Sequence, residues 1–262
     1  MRLRVLMALV VALAACSGNT TAQSEGTAST TTPVASTQPV PETTTTTQDP
    51  RPVWEGFEVT RTQPHTLAAY ARGPLDVYGE PGDTTPELTV EATTILGTVT
   101  VLGVVGEPQD GWAEVMLPVR PNGSTGWVQV DDVSFYVVDS RIVVDLGERS
   151  LSYMVDGVEV LNTKVGIGSR YNETPTGEYF VTDNVTLSDP NSAWGPHALG
   201  LSARSETITE FNGGDGIIGI HGTNNPSSIG SNISLGCVRL PNEMITALHE
   251  LVPIGTRVEI RA

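Results

Sequence analysis

Basic residues are scarce in this 262-residue chain: 14 Lys and Arg stand against 30 Asp and Glu, a formal net charge of −16. That balance provides no basic face for nucleic acid and works against adhesion to anionic lipid. It names no partner, and solubility outside the cell is its plain reading. Cysteine is scarcer still. Only Cys16 and Cys237 occur, so a disulfide framework is excluded and the ordered part must rest on an apolar core. Long apolar runs are also missing. The stretch Val5 to Ala12 falls short of the about twenty residues a bilayer-spanning helix requires. No helix pattern follows Gly166-Ile167-Gly168, so that segment is not a nucleotide loop.

Arg2 and Arg4 ahead of the short apolar stretch read as a secretory signal. Leu13-Ala14-Ala15-Cys16 resembles the lipobox of bacterial lipoproteins, which implies cleavage before Cys16, acylation there and anchoring to the membrane of the cell envelope. An incidental Cys after an ordinary cleavage site is the alternative. The expected organisation is a signal peptide over 1–16, then a disordered linker over 17–63. The linker is richest in Thr, Ser and Pro up to about Pro52, a composition too poor in apolar residues to offset chain entropy. A coil of about 35 residues spans roughly 30–35 Å, enough for a tether. With Cys16 consumed, Cys237 is left as a lone thiol in an exported chain.

Thr, Gly, Val and Pro favour strands and turns, and the expected fold is mainly β. Over 64–137, short runs such as Leu67–Tyr70, Ile95-Leu96, Val99–Leu102 and Trp112–Met116 are broken by Gly79, Pro81-Gly82, Asp110-Gly111 and Pro121-Asn122-Gly123, as in a small all-β barrel or sandwich. Gly111-Trp112 and Gly126-Trp127-Val128 resemble bacterial SH3-like modules, which implies a wall contact or a spacer. Over 138–262 strands are expected at Arg141–Asp145, Leu151–Val155, Val158–Val165, Gly177–Val181, Ala198–Leu201, Ile217–Ile220 and Arg257–Arg261. Glu148-Arg149 and Asp156-Gly157 suit hairpin turns. Met244, Ile245, Leu248, Leu251 and Val252 make one apolar face of a packing helix, with Asn242 placed to cap it and Pro253 to stop it.

The chemistry concentrates between Ile217 and Leu240. A strand ends on His221, a loop of small and polar residues follows, and Ser234-Leu235-Gly236-Cys237-Val238-Arg239 brings a thiol into a Gly-flanked turn. The thiolate is the nucleophilic form of cysteine. A neighbouring imidazole can take the proton and then stabilise the thiolate. Gly236 lets a substrate carbonyl come close to the backbone, where main-chain N–H groups can hold an oxyanion. The carbonyl of Gly222 is free to accept from His221 and fix its tautomer.

His221-Gly222-Thr223 followed by Ser234-Leu235-Gly236-Cys237-Val238-Arg239 resembles the signature of the L,D-transpeptidase (YkuD-type) catalytic domain. Thr174-Pro175-Thr176-Gly177 and Gly195-Pro196-His197-Ala198-Leu199-Gly200-Leu201 resemble two further landmarks of it. The resemblance implies a β-rich domain in which Cys237 is the nucleophile and His221 the base. Gly222 would supply the orienting carbonyl, and Gly236 with Cys237 the oxyanion donors. Arg239, Ser234, His197 and Thr223 become candidate substrate contacts. Arg239 is equally readable as a structural ion pair, Ser234 as a shaper of the turn and His197 as a structural residue, while His65 and His249 are incidental. The partners implied are two peptidoglycan stem peptides. The bond between residues three and four of the donor is attacked, D-Ala leaves, and the side-chain amine of the acceptor takes the acyl group in a 3→3 link. A carbapenem should bind covalently, and neither metal nor cofactor is called for. Leu235 departs from the pattern, since many members carry His there. Hydrolysis by water, transfer to a protein amine, and a non-catalytic wall-binding lipoprotein stay open; a papain-like order is disfavoured because His221 precedes Cys237.

Overall fold

The computed structural model describes residues 66–211 and 214–262. The expected signal peptide, Cys16, the linker and His65 lie outside the described residues.

The chain first forms β1 (Thr66–Ala71), β2 (Leu75–Val77), β3 (Leu88–Val90), β4 (Val101–Gln109), β5 (Trp112–Met116), β6 (Thr125–Gln129) and β7 (Val133–Val138). There follow β8 (Ser140–Asp145), β9 (Ser150–Val155), β10 (Val158–Lys164), β11 (Ile167–Gly168), β12 (Gly177–Thr186), β13 (His197–Arg204) and β14 (Ile217–His221). The remainder is β15 (Asn232–Ser234), β16 (Val238–Arg239), helix α1 (Asn242–Leu251) and β17 (Arg257–Arg261). The mainly-β expectation holds, with a single α-helix among the described residues. Alternation dictates many of these strands. Ala113 and Val115 of β5, and Val258 and Ile260 of β17, point into the core while the residues between and before them are only partly buried; Met116 at the end of β5 breaks the alternation and is also buried.

Two sheets carry the fold. A five-stranded sheet runs β6-β5-β4-β1-β7, and an eight-stranded sheet runs β10-β9-β8-β17-β12-β13-β14-β16. Phe180 of β12 is buried in the apolar cluster of the smaller sheet. Gly103 of β4 permits this approach, because a Cβ there would meet Phe180 Cδ1 at 3.2 Å. Arg257 donates to Val104 O at 2.5 Å and Tyr136 Oη to Ile254 O at 2.6 Å, so polar bonds as well as apolar packing tie the two sheets together. The larger sheet ends at β14 and β16, which pair in parallel with Ile220 opposite Val238 and His221 opposite Arg239.

Three local expectations need correction. Ile95-Leu96 forms no strand. It lies in a turn with both side chains exposed, because Thr94 N donates to Thr98 O and closes the chain on itself. Asn242 does not cap α1; the cap residue is Pro241, without a side-chain bond, and Asn242 is the first helical residue with its side chain committed elsewhere. Leu251 falls off the apolar face of α1 and is exposed, whereas Ile245 and Leu248 are fully buried.

Candidate active site

Strand β14 places His221. Alternate residues of a strand share a face; Ile218 and Ile220 enter the core, so Gly219 and His221 front the opposite side. His221 is nonetheless 4% exposed, covered by Trp194, whose ring centroid lies 4.4 Å from that of the imidazole. His221 Nδ1 sits 2.6 Å from Gly222 O. A carbonyl only accepts, so Nδ1 carries the proton and Nε2 is left as the ring's acceptor. Burial, opposed by the Gly222 carbonyl, pushes the imidazole pKa down to about 4. At neutral pH the ring is an uncharged base.

The loop after His221 is held by a close backbone crossing. A Cβ on Gly222 would meet Asn242 Oδ1 at 2.4 Å and Gly195 Cα at 3.1 Å. Asn242 Oδ1 accepts from Thr223 N at 2.8 Å. Helix α1 thus fixes the direction in which the Gly222 carbonyl points.

The thiol is placed by an interrupted ladder. In a parallel pair with this register, Gly219 N–H would meet the carbonyl of Gly236. That carbonyl instead accepts from Thr174 Oγ1 at 2.8 Å, and Thr174 Oγ1 accepts from Gly168 N at 2.9 Å. Gly219 N–H donates to Cys237 Sγ at 3.4 Å. Ser234 Oγ closes the turn by donating to Cys237 O at 2.6 Å and accepting from Gly236 N at 3.1 Å. Gly236 has φ +116°, and a Cβ there would also strike Ile218 Cδ1 at 2.9 Å, so the turn requires glycine. Burial raises the Cys237 pKa, while the Gly219 N–H and the charge of Arg239 work against that rise.

His221, Ser234, Leu235, Cys237 and Arg239 line one cavity of about 220 Å³, walled by Trp194, Phe211 and Ile217. Arg239 Nε is buried with no hydrogen-bond partner, and no carboxylate pairs with Arg239 among the described residues. A buried guanidinium N–H without an acceptor favours an acceptor brought by a ligand. With the imidazole pKa lowered and the thiol pKa raised, the resting pair is neutral thiol and neutral imidazole. The arrangement therefore suits proton transfer during attack rather than a standing ion pair.

The family description "YkuD: L,D-transpeptidase catalytic domain" matches residues 139–260. A relative from Bacillus subtilis named "Putative L,D-transpeptidase YkuD" is 32% identical over 125 residues, covering 48% of this chain and 68% of its own length. This chain belongs to the L,D-transpeptidase family. A second Bacillus subtilis relative, bearing the same description with the name YqjB, is 31% identical over 133 residues, 47% of this chain and 71% of its own. Among solved structures, L,D-transpeptidase 3 of Mycobacterium tuberculosis in complex with a faropenem-derived adduct has 15% identity. It covers 62% of this chain and 91% of its own at a TM-score of 0.40, too distant to weigh in the assignment.

Within this L,D-transpeptidase domain the predicted site residues separate. Cys237, His221, Arg239 and Ser234 share the cavity, and Gly222 and Gly236 adjoin it. Three assigned roles need correction. Gly236 N–H is taken by Ser234 Oγ, so it is not free for an oxyanion. Thr223 is buried and its Oγ1 accepts from Asn225 N at 3.0 Å; it shapes the loop and does not line the cavity. His197 stacks on His249 of α1, centroids 4.0 Å apart, and Thr186 Oγ1 lies within 3.3 Å of both rings. It too is outside the cavity, and His249 is its partner rather than incidental. Trp194 and Phe211 escaped sequence reasoning, which marks Asn242 only as a helix cap. Trp194 stands immediately before the Gly195-Pro196 landmark, the one local signal that marks it.

Proposed function

We propose that the protein forms 3→3 links between peptidoglycan stem peptides through an acyl-enzyme on Cys237. The observation that carries this reading is that the sulfur, the imidazole and the guanidinium of Arg239, its buried Nε without a partner, line one cavity, with the imidazole tautomer set by Gly222 O. As the donor carbonyl meets Cys237, His221 Nε2 takes the thiol proton and the C–S bond forms. The Cys237 N–H serves as the main-chain oxyanion donor. Collapse breaks the peptide bond, His221 returns the proton to the departing D-Ala amine, and Arg239 holds a carboxylate of the donor. The Gly219 N–H stabilises the sulfur as it gains charge. Leu235, half exposed at the cavity rim, gives this site an apolar edge where many family members have His.

To the same proposal belong the anchoring of the chain in the cell envelope through Cys16, the tether over 17–63, and the SH3-like unit over 64–137 as spacer or wall contact. Incubation with a stem tetrapeptide ending in D-Ala, alone and with a second stem, tests the activity by mass analysis of products. The expected result is release of D-Ala and a 3→3 dimer, both lost in Cys237→Ala. D-Ala release without dimer at any acceptor concentration would make the protein an L,D-carboxypeptidase.

A further inference from the structure

Part of the wall around Cys237 is the connection between β13 and β14, from which Ser205, Ile208, Phe211 and Gly216 line the cavity. Phe211 tilts against Trp194 with ring centroids 6.2 Å apart, and Trp194 in turn covers His221. Within the catalytic segment the connection is held at its base, where Ser205 N donates to Gly216 O at 2.8 Å. Thr207 Oγ1 adds a bond to Asn172 Oδ1 at 2.9 Å.

A denser hold reaches it from outside that segment, from the turn between β5 and β6. Arg120 Nε and Nη2 donate to Ser205 O at 3.3 and 3.0 Å. The same Nη2 donates to Ile208 O at 3.2 Å and to Asp215 O at 2.9 Å, and Nη1 pairs with the Asp215 carboxylate. Three main-chain carbonyls and a carboxylate of one connection thus converge on one guanidinium, whose rigid fork of donors an ammonium group lacks. Asn122 adds a second grip: its Oδ1 accepts from Arg204 N and its Nδ2 donates to Arg204 O, each at 2.8 Å. Arg204 Nε donates to the other oxygen of Asp215 at 2.8 Å, so that carboxylate bridges two arginines. Burial raises the Asp215 pKa, but the hydrogen bonds from Arg204 and Arg120 prevail and hold it below the ordinary carboxylate range. Gly216 reserves the space: its φ is +62°, and a Cβ there would run into Ile208 O and lie 2.9 Å from Arg120 Nη2.

We propose that Arg120 and Asn122 are positioning residues for acyl transfer: from the 64–137 unit they hold the β13–β14 connection so that Ile208 and Phe211 wall the cavity of Cys237 and His221. The inference rests on the acyl-enzyme reading above, and it makes the first unit a working part of the site rather than a spacer alone. Neither residue lines the cavity; both act through its wall. Removing the guanidinium takes this donor from the carbonyls of Ser205, Ile208 and Asp215, and the connection gains freedom to draw Phe211 away from Trp194. Water then reaches His221, whose lowered pKa comes first from burial. The titratable groups beside the imidazole, Cys237 and Arg239, are held by Ser234 and by the β14–β16 pairing, not by Arg120 or Asn122. Loosening the wall therefore raises the imidazole pKa toward its ordinary value.

The test is the pH profile of acylation. Full-length wild type, Arg120→Ala, Arg120→Lys, Asn122→Ala and Val115→Ala are exposed to a carbapenem at a series of pH values, and adduct formation is timed by intact mass. Thermal midpoints are measured alongside. In Arg120→Ala acylation at neutral pH should fall about tenfold, and its acid limb should rise by about one pH unit or more as water returns to the imidazole. Arg120→Lys keeps the charge without the fork, so it should follow Arg120→Ala rather than the wild type. Asn122→Ala should move both readouts the same way by less, and it decides the matter if Arg120→Ala does not fold. Val115 is buried in the core of the smaller sheet, so Val115→Ala should lower the thermal midpoint and leave the acid limb in place. Acid limbs in Arg120→Ala and Asn122→Ala that coincide with the wild type's overturn the inference, as does an equal shift in Val115→Ala; both leave the acyl-enzyme intact. Wild-type protein that never becomes acylated contradicts the underlying reading and takes the inference with it.

Discussion

The two ends of the eight-stranded sheet are built on different principles. At one end β8, β9 and β10 form consecutive hairpins with long pairings. Their turns use the left-handed residues Arg149, Asp156 and Gly157, and the inward side chains of β8 and β9, Ile142, Val144, Leu151 and Tyr153, are all in the core. At the other end β14 and β16 share a two-residue register. The ladder there is deliberately incomplete: Thr174 removes the Gly236 carbonyl and the Cys237 sulfur takes the vacant Gly219 N–H. Regular pairing supports; interrupted pairing leaves a donor and a nucleophile facing a cavity. The glycines differ accordingly, marking a turn at the first end and forced close approaches at the second.

The largest expected effect sharpens this contrast through pH. Buried neutral, His221 has a folded pKa of about 4, below its ordinary value. Between about 6.5 and about 4 the unfolded chain therefore binds more protons at this residue. Stability is lost as pH falls through that window and levels off below it, with a total of about 3 kcal/mol. Denaturant titrations at several pH values should show this slope, and His221→Gln should remove its share. The acid limb of donor acylation should likewise lie near pH 4 rather than near 6.5.

Next comes the backbone crossing. Gly222→Ala puts a Cβ 2.4 Å from Asn242 Oδ1 and near Gly195 Cα, and should cost about 2–3 kcal/mol, visible as a lowered denaturation midpoint together with reduced acylation. Asn242→Ala leaves the Thr223 N–H without its acceptor and should cost about 1–2 kcal/mol. Its acylation rate should fall with little change in donor KM, because the variant misdirects the Gly222 carbonyl and not a substrate contact. At the supporting end, Val160 of β10 is exposed, so Val160→Thr should change stability by under about 0.5 kcal/mol and leave acylation unaltered. A large loss from Val160→Thr would break the comparison.

The supporting end was also the legible end. Alternating residues and hairpin turns locate β8, β9, β10 and β17 to within a residue or so. Strands β12 and β13 run past the expected ends at Val181 and Leu201 because Asp183, Ser202 and Arg204 are polar yet buried. Asp183 is bonded by Thr94 and the backbone N–H of Arg204 by Asn122, both far away in sequence, where alternation carries no information, while the Arg204 side chain is paired with Asp215. The same distance hid Asn242, which reads locally as a helix cap but serves the loop at Thr223, and misplaced His197, whose neighbour His249 is brought in by α1. The His221-Gly222 pair and the Ser234–Arg239 segment stood out because residue type and spacing alone indicate chemistry. The occupation of the Gly236 N–H is a matter of turn geometry and left no trace in composition.

The central claim is that Cys237 attacks with His221 as its base from one shared cavity. Intact-mass measurement of the wild type, Cys237→Ala and His221→Gln after exposure to a carbapenem tests it most directly. The account predicts a stoichiometric adduct on the wild type, none on Cys237→Ala, and adduct formation slowed at least a hundredfold on His221→Gln, an effect of the size general-base catalysis commonly supplies. An unmodified wild-type mass after prolonged exposure, or equal adduct rates in wild type and His221→Gln, would contradict it.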